Sequence, residues 1–426
     1  MQGDGGYWAR LAVSCWADIS SRKALMKIFV VNCGSSSIKY QLFDMPGETV
    51  LAGGVLDRLG SDQAELKYET EAGSWLTDVE APDHVAGLKI ILDALVSAPG
   101  GVLDSVDQID GVGHRIVHGG PEAAGSVVID QSVIEAIERN VDLAPLHNPP
   151  NLVGIRAASE AMGPARHVGV FDTAFLATLP EKAYRYAVPE EWYADHRVRR
   201  YGFHGTSHKY VTHCAAELLG KAIDEVNLIT VHIGNGVSMT AVSGGRAVDH
   251  SMGMTPLEGL MMGTRSGDID PAIVFYMISQ GLSSQEVDDA LNKRSGLLGV
   301  SQGRSDMRDL VKAVSQGDQA AGLAVDMFIY RIIKYIGSYY AILPPLDAIV
   351  MTGGIGENAT TIRAQICSGL KRLGVVGDPE ANERTKLGAT GPITAGSSEL
   401  PIWVIPTNEE LMIARETMRL VAEKQV

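Results

Sequence analysis

The sequence predicts an α/β protein of two related domains, and three observations carry that reading. The chain has 426 residues, more than one hydrophobic core usually fills. An apolar strand-like run ending in a polar glycine-rich loop occurs at residues 28–31 before Asn32-Cys33-Gly34-Ser35-Ser36-Ser37, and again at 228–231 before His232-Ile233-Gly234-Asn235-Gly236. A third such run, 349–352, leads into Gly353-Gly354-Ile355-Gly356-Glu357-Asn358.

Taken in order, residues 27–43 alternate toward Ile38, Tyr40, Leu42 and Phe43 after the first loop, and 237–242 follow the second loop in the same way. Each of these loops therefore joins two antiparallel strands. Glycine lets backbone N–H groups turn toward an anion, while serine and asparagine add donors, so three such loops point to one polyphosphate ligand. One hairpin in each half suits a nucleotide held in a cleft between the domains. Residues 321–343 read as a helix stopped by Pro344-Pro345, and Asp326, Arg331 and Lys334 interrupt its apolar surface, against a membrane span. A buried-type strand follows, then the Gly353 loop, then a helix over 360–373. The helix N-terminus in such a unit favours negative charge; an ordinary tight turn is the alternative. No low-complexity linker interrupts the chain, and the domain boundary is expected near Asp172.

Composition narrows the function. Hydrophobic residues at 45% and charged residues at 20% are those of a soluble globular chain. A formal net charge of −15 argues against general binding to nucleic acid or anionic membranes, so anionic substrates need local arginines. Cys15, Cys33, Cys214 and Cys367 show no C-x-x-C spacing and read as reduced thiols of a cytoplasmic protein. Residues 1–25 precede the first strand at Met26-Lys27, and their apolar stretch is too short for a signal-peptide core; they are expected to be an extension dispensable to the fold.

Three polar constellations stand out. Gly113-His114-Arg115-Ile116-Val117-His118-Gly119-Gly120 puts an arginine before a double-glycine turn, where it either clamps two oxygens of a carboxylate or phosphate or makes a structural salt bridge. Gly202-Phe203-His204-Gly205-Thr206-Ser207-His208 offers two histidines; no partner motif completes a zinc site, which leaves phosphate contact or core and capping roles. Met262-Gly263-Thr264-Arg265-Ser266-Gly267-Asp268-Ile269-Asp270-Pro271 sets Arg265 on a constrained loop, aimed at a phosphoryl group or paired with an aspartate of the turn. The same two readings apply to Ser305-Asp306-Met307-Arg308.

With these segments in place, the chain from Met26 onward closely resembles the acetate kinase family. The resemblance rests on VNCGSSSIK at 31–39, GHRIVHGG at 113–120, APLHNPPNL at 144–152, FDTAF at 171–175 and GFHGTSH at 202–208, with HIGNGVS, MGTRSGDIDP, GGIGEN and PTNEEL following in order. It implies a two-domain actin-like ATPase fold, duplicated ribonuclease H-like domains with a nucleotide cleft between them. Residues 26–172 would form an N-terminal domain completed by a C-terminal helix at 410–426, and 173–409 a nucleotide-binding and dimerising domain. It also implies a cytoplasmic homodimer that takes ATP or ADP with acetate or acetyl phosphate, needs Mg2+ with Mn2+ as a substitute, and binds neither nucleic acid nor membrane.

Carried over by motif, the resemblance makes Asp172, His204 and Arg265 catalytic, Arg115 the carboxylate contact, and Val117, Leu146, Phe203 and Pro256 the acyl pocket. Asn32 and Glu409 become magnesium-associated, and Ser37 and Lys39 neighbours of the phosphates. Nucleotide contacts fall to His232, Ile233, Gly234, Asn235 and Gly236, to Asp306, Met307 and Arg308, and to Gly354, Ile355, Gly356, Glu357 and Asn358. Cys33 and Pro150 replace usual alanines and Leu176 a common histidine, and none of these removes a proposed catalytic group.

The chemistry implied has one difficulty. A carboxylate acceptor, with a pKa of roughly 4 to 5, is already ionised at neutral pH and needs no general base, which leaves Asp172 to orientation and electrostatics. The obstacle is the approach of two anions, which at about 4 Å and an effective dielectric of about 20 repel by about 4 kcal/mol. Arg115, Arg265, His204 and magnesium would offset that repulsion in an in-line transition state. A phosphate-releasing hydrolase and an actin-like assembly protein are the competing readings, and a carboxylate clamp beside an apolar pocket is the feature that discriminates.

Overall fold

The structure is a computed structural model that describes residues 25–423 apart from 98, 122 and 146. The expected extension, 1–25, therefore lies outside the described residues except for Leu25, as does the expected acyl-pocket residue Leu146. The chain forms two units, one running to Ala177 and taking up the C-terminal residues from Asn408, the other spanning Thr178–Thr407.

The first unit is built on β1 (Met26–Cys33), β2 (Ser37–Met45), β3 (Thr49–Asp57), β4 (Glu65–Thr70), β5 (Gly73–Asp78), β6 (Gly111–Ile116), β7 (Val127–Val128) and β8 (Arg166–Phe171). They lie side by side in the order β5-β4-β3-β2-β1-β6-β8-β7. In β1, the run Ile28-Phe29-Val30-Val31 is buried on both faces. Phe29, Val31 and Cys33 join the core beneath the helices His84–Val96 and Asn148–Ala161. The intervening residues face the opposite side, where the C-terminal helix Glu409–Glu423 packs on β6. That helix lies so close that a Cβ on Gly113 would stand 2.5 Å from Thr417 Oγ1 and 2.6 Å from Ile413 Cγ2. Arg415 fixes it further, donating from Nε and Nη2 to the Glu48 carboxylate at 2.6 and 2.8 Å.

The second unit repeats the plan with β9 (Asn227–Ile233), β10 (Val237–Ser243), β11 (Arg246–His250), β12 (Ala348–Thr352), β13 (Gly391–Pro392) and β14 (Ile402–Val404), in the order β11-β10-β9-β12-β14-β13. The cores of the two sheets, β3-β2-β1-β6-β8 and β11-β10-β9-β12-β14, match strand for strand. In each, three antiparallel strands are followed by two parallel additions. This is the ribonuclease H-like order, present twice, and the chain has the α/β architecture that the actin-like ATPases share.

The two expected hairpins form as read, with Cys33 opposite Ile38 and Ile233 opposite Val237. The long helix runs over Gln319–Ile342, because the Asp318 carboxylate caps it by accepting the Ala321 N–H at 3.0 Å. Segment 353–358 differs from expectation, forming a helix, Gly353–Asn358, directly on β12 where a loop was expected. Gly353, at φ 77, makes the sharp exit from the strand, and Glu357 Oε1 accepts its N–H at 2.9 Å. The next helix, Thr360–Gly369, ends earlier than 373, with a separate 3-10 turn over Lys371–Leu373. Among the described residues no helix is long and apolar enough to cross a membrane.

Closeness of the C-terminal helix to β6 yields a stability test. Gly113→Ala should lower the free energy of unfolding by about 1–3 kcal/mol through overpacking against Ile413 and Thr417, read as a lower midpoint in urea. An unchanged midpoint would mean the helix is not seated as described.

Candidate active site

In both units the polar side chains gather where parallel strands end, the edge at which open α/β sheets bind ligands. In the first unit, Asn32 lies near the end of β1, Arg115 near the end of β6, and Asp172 directly follows β8. Hydrogen bonding of Asp172 N–H to the Ile116 carbonyl at 2.9 Å sets that aspartate beside β6. Its buried carboxylate receives Arg115 through Nη2 at 2.5 Å and Nε at 3.3 Å. Arg115 Nη1 lies 3.5 Å from Asn32 Oδ1, and Glu409 Oε2, at the start of the C-terminal helix, lies 4.0 Å from Arg115 Nε. Lys39 sits opposite Asn32 in the β1–β2 register.

Acid exceeds base in this cluster. Burial pulls the Arg115 guanidinium down, but Asp172, Glu409 and Glu410 more than offset that and its affinity for the proton rises. Glu409 is pushed up to about 7, first by burial and then by Asp172 and Glu410, against the pull of Arg115 and Lys39. Glu410 was not anticipated from the sequence, although its place next to Glu409 was the available signal.

The second unit assembles the opposite charge. Gly205–Leu219 is a helix entered through His204, whose left-handed φ of 59 turns its ring toward the β9–β10 loop. A Cβ on Gly236 would stand 3.1 Å from His204 Cε1 and 3.6 Å from Arg265 Nη1, so loop, imidazole and guanidinium converge. The His232 ring centroid is 4.4 Å from that of His204, and its Nδ1 is 2.9 Å from Ser207 Oγ.

Arg265 is held from several sides. Its carbonyl accepts the Met262 N–H at 3.1 Å, and Gly263 N–H donates to the Asn235 carbonyl at 3.0 Å, stitching its loop to the glycine loop. Behind it, the Ser295 and Leu297 N–H groups bond to the Thr264 and Met262 carbonyls. Asp268 does not pair with Arg265, as a turn-stabilising reading would have it. Its carboxylate instead accepts the Gly259 N–H at 2.8 Å and the Tyr335 hydroxyl at 2.5 Å. Among the described residues Arg265 has neutral partners, the Pro256 carbonyl at 3.4 Å and Met262 Sδ at 3.5 Å. Burial pulls its guanidinium below the ordinary value.

The remaining expected residues are distributed as follows. Val117 and Phe203 are buried and Pro256 is half-buried; Val117 belongs to the first unit, the other two to the second. Ile233 ends β9 in the core, while Asp306 and Arg308 form an exposed pair at 2.6 Å. The Met307 side chain is buried in the core, so only its backbone is available to a ligand. Glu357 Oε1 accepts from Thr352 Oγ1, Gly353 N and Thr407 N, which commits that oxygen to the fold. Asn358 bonds Gly354 and Leu387; around it Gly354 is exposed and Ile355 half-buried, while Gly356 is buried. A cavity of about 650 Å³ opens in the same unit beside Thr360, Cys367 and Asn382, and none of the expected site residues lines it. No group of three or more His, Cys, Asp or Glu side chains with metal-binding geometry occurs among the described residues.

Comparison with known proteins matches residues 27–415 to the acetokinase family. The chain is 52% identical to the acetate kinase of Thermotoga petrophila, over 93% of this chain and 99% of that protein. It is 50% identical to that of Thermotoga maritima, with the same coverage of both. Among solved structures, Porphyromonas gingivalis acetate kinase superposes with a TM-score of 0.89 at 45% identity, over 93% of this chain and all of that one. A propionate kinase from Francisella tularensis superposes at 0.87 with 41% identity, over the same share of each chain.

Histidines near these residues make stability pH-dependent. Burial lowers His118 from 6.5 to about 4, and its Nδ1 accepts the Gly120 N–H at 2.9 Å. Between those values the unfolded chain binds the proton and the folded one does not, so stability is present above pH about 6.5 and lost as pH falls toward 4. His118→Asn keeps an acceptor for Gly120 and removes the titration. Thermal melts of the variant should lose part of the decline between pH 6.5 and 4 seen in the parent; identical slopes would count against a neutral His118.

Proposed function

Since the chain belongs to the acetokinase family, we propose that it catalyses the reversible transfer of the ATP γ-phosphoryl group to acetate, giving acetyl phosphate and ADP by direct in-line transfer. The observation that carries this reading is Arg265, a guanidinium drawn out of water beside His204 and the Gly236 loop with no carboxylate partner among the described residues. A half-buried cation of this kind is stabilised by an incoming anion, and its loop holds it before that anion arrives.

In this reading Arg265 and His204 donate to the equatorial oxygens of the transferring phosphoryl group, where charge develops. Backbone N–H groups of the Gly234-Asn235-Gly236 loop and of the Gly353–Asn358 turn would hold the nucleotide phosphates, and Lys39 is a further candidate for phosphate contact. Arg115 has Nε and Nη2 on Asp172 and one Nη1 hydrogen toward Asn32, so it offers the second Nη1 and second Nη2 hydrogens to the acceptor carboxylate. Asp172 fixes that guanidinium and takes no proton, because the acceptor is already ionised. Val117 would limit the acyl chain, and one methylene is worth about 1–3 kcal/mol, so propionate should react more slowly than acetate.

Asn32 and Glu409 fit a divalent cation. Both offer hard oxygen donors, and the Glu409 carboxyl, pushed up to about 7 among Asp172 and Glu410, is in a position a cation would stabilise in its ionised form. Magnesium held there would supply neutralisation of phosphate charge.

We also assign this chain to a homodimer formed through the second unit. Phe275 is 72% exposed, Tyr276 62% and Ile273 44% on the helix Ala272–Ser279, and Tyr330 is 61% and Leu323 56% on Gln319–Ile342. Asp268, in the loop that leads into the first of these helices, accepts the Tyr335 hydroxyl on its carboxylate and Arg331 Nη1 on its carbonyl, both from the second helix. Apolar surface of this extent marks an interface, and a second copy offers the matching patch. Light scattering should give twice the 45.4 kDa chain mass; a monomer at micromolar concentration would remove the dimer.

Trapping acetyl phosphate as the hydroxamate tests the activity. Arg115→Ala should lower kcat/KM for acetate by about 10²-fold or more, and Arg265→Ala should lower kcat by about 10²–10³-fold. Starting the chain at Met26 should change neither. Parental turnover by Arg115→Ala at low acetate would sink the substrate assignment, with Arg115→Lys, which keeps the charge and loses the fork, as the control for folding.

A further inference from the structure

Behind His204 lies a line of buried polar side chains that the proposed reaction does not use. His204 Nδ1 is 2.9 Å from Ser238 Oγ, the same Oγ is 2.8 Å from His208 Nε2, and His208 Nδ1 is 2.7 Å from Thr230 Oγ1. Ser238, His208 and Thr230 are wholly buried. Among the described residues the Thr230 hydroxyl has no other hydrogen-bond partner than His208, and Ser238 Oγ has only the two histidines.

That inventory fixes the direction of every proton. His208 is neutral, since burial and then the nearby His250 and His232 hold it well below the ordinary histidine value, so one ring nitrogen donates and the other accepts. If His208 donated to Thr230, the threonine hydroxyl hydrogen would be buried with no acceptor, an unfavourable arrangement. The hydroxyl of Thr230 therefore donates to His208 Nδ1, and His208 Nε2–H donates to Ser238 Oγ. Ser238 must then give its own hydrogen to His204 Nδ1, because no other acceptor is in reach. Its ring proton is thereby left on Nε2.

We infer that Thr230, His208 and Ser238 are positioning residues that hold His204 as the Nε2–H tautomer, so that it meets its substrate as a hydrogen-bond donor. The opposite tautomer, with hydrogen on Nδ1, strands a buried hydroxyl hydrogen at Ser238 or Thr230. This inference deepens the assignment of His204 to the phosphoryl group and rests on it for its kinetic consequence, though not for the tautomer itself.

The test uses the full chain labelled with 15N-histidine, whose two-bond nitrogen–proton correlations separate the tautomers. His204 is assigned by its absence from the spectrum of His204→Gln. The parent should show His204 with hydrogen on Nε2. Thr230→Val, a near-isostere without the hydroxyl, should shift His204 toward the Nδ1–H form and lower kcat by about tenfold or more, with KM for ATP and acetate within about twofold. Thr230→Ser should restore both readings. Hydrogen on Nδ1 in the parent overturns the relay even if Thr230→Val fails to fold. A tautomer that shifts as expected with kcat unchanged would leave the relay standing and remove His204 from the phosphoryl contacts.

Discussion

An arginine partly withdrawn from water, with no carboxylate beside it among the described residues, keeps a desolvation penalty that no ion pair offsets, and the second unit is organised around holding one. Arg265 cannot relax toward an acid, because Asp268, the acid nearest in sequence, is engaged by the Gly259 amide and Tyr335. Its backbone is fixed, because its loop is tied by hydrogen bonds to Asn235 on one side and to residues 295–297 on the other. The charge is fixed ahead of any ligand, which is what electrostatic preorganisation requires.

The first unit solves a complementary problem. Its arginine is paired, its acids outnumber its bases, and Glu409 is left with a raised proton affinity. One unit is thus short of negative charge and the other short of positive charge, although both present their groups at the carboxyl ends of equivalent strands. A duplicated scaffold has been given opposite electrostatic characters by a few side chains: Arg115, Asp172, Glu409 and Glu410 in one, and Arg265 beside the ring N–H donors of the histidines in the other.

Much of this was legible in the sequence, and the parts that were not share a physical reason. The hairpins at Cys33 and Ile233 announce themselves by period-two alternation on either side of glycine, and the helix from Gln319 by its apolar stripe and terminal prolines. The helical form of 353–358 was hidden, since it depends on Glu357 reaching back to Gly353, a contact that spacing does not advertise. Likewise Thr230 and Ser238 read as ordinary strand residues; only the pairing of β9 with β10, under the helix carrying His208, brings them into line. Family motifs name the groups that touch substrate far better than the groups that aim them.

The C-terminal helix has a temporal side as well. Its residues from Asn408 onward pack against β1, β6 and β8, strands made more than two hundred residues earlier, and they bring Glu409 to Arg115. During synthesis the second unit can therefore complete its core while the first still lacks one of its layers. The nascent first unit must wait with the apolar backs of three strands uncovered until the final helix clears the ribosome, a stage at which chaperones have the most to grip.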